Sequence, residues 1–241
     1  MKNRRNFNLT ELIILVGLLI IWIALMITFI PWSREKAKTT SCEGNLKISA
    51  NVLLIYSNNN AGWICTYGPN YSAWYEQPGI VTALGRNETK KRSAITGRPE
   101  TMCPDFVDSF GSGQGFGAAW FILTPDDYAD DAAEHVVPWA NGNSQYTKLD
   151  HIRKPADYVL LADSAYTLQE KNQTAGRQAP LFARRYGGYF PRAIALRHAD
   201  QGNIAYADGH VGDTKDRMGM RMRSKINAFV DGTGRRVVTT E

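Results

Sequence analysis

One short stretch of the C-terminal third brings together His198, Asp200, Asp208, His210 and Asp213. Imidazole with several carboxylates is the donor set of a metal or hydrolytic site. Oxygen-rich loops suit calcium, so Asp200, Asp208 and Asp213 are the calcium candidates. The spacing argues against a built site, because neither HExxH nor a calcium-loop pattern is present. A His that hydrogen-bonds across a hairpin turn and fixes its register accounts for the same residues without chemistry. No nucleophile elbow, metalloprotease motif or nucleotide fingerprint occurs, so no catalytic residue, enzyme activity or cofactor is expected. The glycines of Gly111 to Gly117 lack the preceding strand and the following Gly-Lys-Ser/Thr of a phosphate loop, and they read as a turn.

Three cysteines, Cys42, Cys65 and Cys103, complete the reactive inventory. No CxxC or Cys/His spacing points to zinc, and one disulfide plus one free thiol is the simplest arithmetic. Arg184 and Arg185 beside Tyr186, Tyr189 and Phe190 could form a surface for glycan or nucleic acid, and the net charge of +5 fits weakly. Aromatics beside glycines more often pack under loops, so a nucleic-acid partner is not expected. The basic run from Arg86 to Arg98 reads as a solvated loop.

These residues must be positioned by elements legible in the same chain of 241 residues. Leu12 to Ile30 is a run of 19 residues in which only Thr28 is clearly polar. As a helix it would span about 28 Å, close to the hydrocarbon core of a bilayer. Glu11 stands at its mouth, where a carboxylate needs a partner or headgroup depth. Lys2, Arg4 and Arg5 precede the run, which predicts a cytoplasmic N-terminus and an extracytoplasmic remainder. The run is longer than a signal-peptide core and ends without a small-x-small site, so it reads as an uncleaved anchor. Such a compartment permits disulfides.

After Pro31, Leu46, Ala50, Leu53 and Leu54 recur at helical spacing, and Asn58-Asn-Asn-Ala-Gly62 is a stop signal. One helix from about residue 8 to 57 is expected, bent at Pro31, its second half packed on a globular domain. The segments are thus 1–6, basic and leader-like; 7–31, transmembrane; 32–58, amphipathic; and 59–241, globular. Ile80 to Leu84 suggests a short helix, and Tyr158 to Ala162 a buried strand. Ala193–Arg197 and Asn203–Ala207, around the turn-rich His198 to Gly202, read as a β-hairpin. The basic residues after Asp213 read as a final helix.

A basic start, Phe7-Asn-Leu-Thr-Glu11, an apolar run and an amphipathic helix together resemble the N-terminus of type IV pilins and type II secretion pseudopilins. His198, nine intervening residues and Asp208-Gly209 resemble the His-x(nine)-Asp-Gly signature of one pilin-like group. Arg34 to Cys42, Asn45-Leu46-Lys47, Tyr56 and Cys103-Pro104 resemble it too.

The resemblance implies an α+β, pilin-like fold: a long N-terminal helix on a small antiparallel sheet with long loops. It implies a minor structural subunit of a secretion-like or pilus-like assembly in the bacterial inner membrane, its C-terminal domain periplasmic. The partners would be other pilin-like subunits, and a prepilin peptidase where cleavage precedes Phe7. Asn6 stands where that family carries Gly. In a filament, Glu11 would neutralise a neighbour's terminal ammonium. A Cys42–Cys103 bridge would staple the loop-rich region to the helix, with Cys65 the runner-up partner. The reading from another class is an anchored module for glycan, DNA or calcium that never polymerises.

Overall fold

The structure, a computed structural model, describes residues 8–67, 74–83, 102–104, 117–120, 136–140, 144–152, 154–167, 178–179, 181–183, 192–224 and 226–239. The chain forms two compact units, Met1–Lys38 and Thr39–Glu241. A single helix, α1 (Leu9–Asn59), supplies the described part of the first unit and opens the second.

Leucine and isoleucine dominate the first part of α1, and the helix continues through Pro31. Its start is a local capping arrangement in which the Asn8 N–H donates to Glu11 Oε2 at 3.1 Å. Thr28, the polar interruption of the apolar run, donates its hydroxyl to the Leu25 carbonyl at 2.7 Å and so leaves no unmet donor. Every large apolar side chain from Leu9 to Trp32 is 45% to 71% exposed. The helix is long and apolar enough to cross a membrane.

In the second unit α1 buries Cys42, Leu46, Ser49, Ala50, Val52, Leu53 and Ser57, one face at three- and four-residue spacing. Fully burying Leu46 or Leu53 is worth roughly 1.5–3 kcal/mol each. The helix ends where the stop signal lies. The N–H groups of Asn60 and Gly62 both donate to the Ser57 carbonyl, and Gly62 takes φ +83°.

Among the described residues the strands form three sheets. In the first, β1 (Trp63–Tyr67), β4 (Ser144–Lys148) and β3 (Val136–Ala140) are antiparallel in that order. The second has the order β10 (Val211–Asp213), β9 (Asn203–Tyr206), β5 (Val159–Ala162), β2 (Gly117–Trp120), β7 (Leu181–Ala183), with β2 and β7 parallel. The third runs β12 (Arg236–Val238), β11 (Ala228–Asp231), β8 (Arg192–Leu196), β6 (Ser164–Tyr166), with β11 and β8 parallel. Short helices α2 (Pro78–Ala83) and α3 (Arg217–Ser224) fall where helices are expected. The main core joins Leu46, Ala50 and Leu53 of α1 to Val159, Leu161, Phe182, Ile194, Ile204 and Phe229.

The α+β class and the long N-terminal helix are as expected, but two strand expectations need correction. The sheet is not one small antiparallel layer: there are three, and two contain a parallel pair. Nor do β8 and β9 form a hairpin, since they lie in different sheets. The reason is Asp163, the residue between β5 and β6. Its N–H donates to the Asn203 carbonyl at 3.0 Å, and its own carbonyl accepts from the Ala195 N–H at 2.8 Å. One residue thus separates β8 from β9, and the chain passes from one sheet to the other on either side of it. At this crossing a Cβ on Gly202 would stand 2.4 Å from the Ala195 carbonyl oxygen, so only glycine fits.

Candidate functional site

The crossing gathers four side chains from distant parts of the second unit. Cys42 comes from α1, Cys103 from the segment Met102–Pro104, Asp163 from the β5–β6 junction and His198 from the turn after β8. Each is held by its backbone. The Asn45 side chain on α1 donates to the Met102 carbonyl at 3.0 Å and so seats the segment carrying Cys103. His198 and Gln201 exchange backbone hydrogen bonds across their turn, at 2.9 and 3.1 Å. Between them Ala199 and Asp200 take φ +51° and +62°, which costs a non-glycine residue on the order of 1 kcal/mol.

The donor atoms of the four side chains all lie within 4.8 Å of one another. Cys103 Sγ is 3.3 Å from His198 Nε2, and the same nitrogen is 3.9 Å from Asp163 Oδ2. Cys42, Cys103 and Asp163 are fully buried, and His198 is 2% exposed. Neither carboxylate oxygen of Asp163 accepts a hydrogen bond, and its compensating cation is Arg197, with Nη1 3.7 Å from Oδ1. A buried carboxylate ordinarily takes two or three hydrogen bonds, so this one is under-served. The Cys103 thiol is pushed far above its ordinary value. Its hydrogen bond with Cys42 is the largest cause, followed by burial and by the charge of Asp163; the contact with His198 pulls the other way. Such a thiol is protonated and is not a nucleophile.

Among the described residues, the other expected ones are not members of this group. Asn6 and Phe7, the basic run from Arg86 to Arg98, residues 111–116 of the glycine-rich stretch, and Arg184 to Phe190 fall outside the described residues. Glu11 caps its own helix. Cys42 and Cys103 meet in the group as hydrogen-bonded thiols, and Cys65, buried in β1, is not one of the four. The three calcium candidates are each engaged by a different side chain: Asp200 by Arg217 at 2.8 Å, Asp208 by His210 at 2.6 Å and Asp213 by Lys215 at 2.9 Å. The His-x(nine)-Asp-Gly signature therefore splits. The His198 side chain joins the cysteines, whereas Asp208-Gly209 makes the β9–β10 turn.

That turn also has a clear physical logic. Burial would raise the Asp208 carboxyl, but the backbone and ring N–H groups of His210 outweigh it and hold the group below its ordinary value. The His210 ring stacks on Tyr206, with centroids 4.0 Å apart. Gly209 takes φ +85°, a Cβ there would meet Leu54 of α1 at 2.8 Å, and its carbonyl accepts from Lys47 Nζ. Asn45, Lys47 and Leu54 thus show why polar and apolar residues alternate along this half of the helix.

Asp163 is the member that sequence reasoning missed. It follows the buried strand Val159–Ala162 directly, and a carboxylate at the end of a wholly apolar run was its one visible signal. Comparison with protein-family models, curated proteins and solved structures yields no match to this chain.

Proposed function

We propose that this protein is a structural, pilin-like subunit, a minor component of a secretion-like or pilus-like assembly, anchored in the inner membrane with its globular unit periplasmic. The observation that carries this reading is the division of labour along α1. Its first part exposes large apolar side chains throughout Leu12 to Ile30, and its later part supplies core residues to a folded unit. A bitopic subunit needs both, first to reside in a bilayer and then to pack against copies or relatives of itself. A second support is that Cys42, Asn45, Lys47, Cys103, His198, Asp208 and Gly209, which carry the sequence resemblance, each make a specific contact in the folded unit.

Glu11 is the residue to test. Its bond to Asn8 is local, so Glu11→Ala costs the helix about 1 kcal/mol through the lost cap and leaves the globular unit intact. In an assembly the same change removes the partner of a neighbour's terminal ammonium, and co-assembly with other subunits, followed by crosslinking in the native membrane, is lost. Intact mass and N-terminal sequencing give the companion result, a chain starting at N-methylated Phe7. A chain that retains Lys2 to Asn6, crosslinks to no other subunit and keeps its ligand after Glu11→Ala is instead an anchored module for glycan, DNA or calcium.

A further inference from the structure

We infer that Cys42, Cys103, Asp163 and His198 form a structural zinc site that ties α1 to the crossing between the two larger sheets. This stands whether or not the chain assembles, because it rests on the second unit alone. Four protein donors, two sulfurs, one imidazole nitrogen and one carboxylate, converge within 4.8 Å. A tetrahedral zinc with ordinary Zn–S, Zn–N and Zn–O bonds separates its ligands by roughly 3.3–3.8 Å. The Cys103–His198 and His198–Asp163 separations, 3.3 and 3.9 Å, already bracket that range.

Sulfur donors select zinc over calcium or magnesium, and four protein ligands without solvent access describe a structural site rather than a catalytic one. Asp163 supplies an independent pointer. It is fully buried, and neither of its oxygens accepts a hydrogen bond, which a coordinated cation would remedy for one or both.

Charge balances as well. With metal bound, two thiolates and the Asp163 carboxylate would stand against one Zn²⁺ and the Arg197 guanidinium, three negative charges against three positive. Binding releases the two thiol protons to solvent and takes up one Zn²⁺, so the net charge of the group is unchanged. Arg197, 3.7 Å from Asp163 Oδ1, then acts as the outer partner that orients the coordinating carboxylate.

The test uses the full chain, purified in detergent under reducing conditions without chelator. We expect about one zinc per chain by elemental analysis. Cobalt substitution should give a thiolate-to-metal charge-transfer band and the intense visible bands of tetrahedral Co²⁺. Cys42→Ser and Asp163→Asn should each weaken zinc affinity at least tenfold, whereas Cys65→Ser, outside the group, should leave the cobalt spectrum unchanged. Asp163→Asn preserves size, and the wild-type cobalt spectrum requires no variant to fold. The inference is overturned if the reduced wild-type chain takes up neither zinc nor cobalt, or if the charge-transfer band keeps its full intensity in both Cys42→Ser and Cys103→Ser. It is equally overturned if non-reducing peptide mapping of protein from its native membrane finds Cys42 bonded to Cys103.

Discussion

The two units invert the usual distribution of residues in opposite ways. In the first, leucines, isoleucines and tryptophans from Leu9 to Trp32 are all exposed. In the second, a carboxylate, an imidazole and two thiols sit at 2% exposure or less. Exposed apolar residues are common singly, but an unbroken run of them calls for a non-aqueous neighbour. A buried carboxylate with no hydrogen bond calls for a cation. A bilayer or packed helices would satisfy the first pattern, and the Arg197 guanidinium meets the second in part. Sites that break the ordinary rules of burial are where the function of this chain is to be sought.

Replacing the cation that balances the buried group gives the largest effect. With zinc removed by a chelator, Arg197→Met leaves the Asp163 charge uncompensated and lowers stability by about 3–5 kcal/mol in urea unfolding of the full chain. With zinc bound, the loss shrinks, and that difference separates an ion site from a mere salt bridge. An arginine placed in the other unit comes next. Leu19→Arg, at the middle of the apolar run, costs roughly 3 kcal/mol of membrane insertion and shifts the chain out of the carbonate-resistant membrane fraction. The smallest change runs in the stabilising direction. Ala199→Gly relieves the left-handed residue beside His198 and raises the urea midpoint by the equivalent of about 0.5–1 kcal/mol.

What could be read from the chain, and what could not, follows from sequence distance. The helix was legible because its signals repeat every three or four residues, and the apolar run marks its first part without any tertiary information. Strand β5 was legible for the same reason, as a short run of uninterrupted apolar residues. The supposed hairpin at Ala193–Ala207 failed because a turn looks alike whether its two arms pair or part. What parts them is Asp163, whose hydrogen bonds reach both sides from far away in the chain. The cluster was illegible on the same ground: its donors follow no motif spacing, and only the fold makes them neighbours. The pairing of β11 with β12 was overlooked rather than hidden. Asp231-Gly-Thr-Gly234 between Ala228–Val230 and Arg236–Val238 carries an ordinary turn signal.

The position of the Asp163 crossing also governs the order in which the protein can mature. Its neighbours Cys42 and His198 are far apart in sequence, so the quartet is a high contact-order feature that rewards the chain only after long loops have closed. During synthesis α1 is complete long before the turn holding His198 exists. Until then Cys42 waits on a finished helix with its thiol unprotected, in whatever redox environment surrounds the nascent chain. Burial of that thiol by the quartet therefore waits on the turn that carries His198.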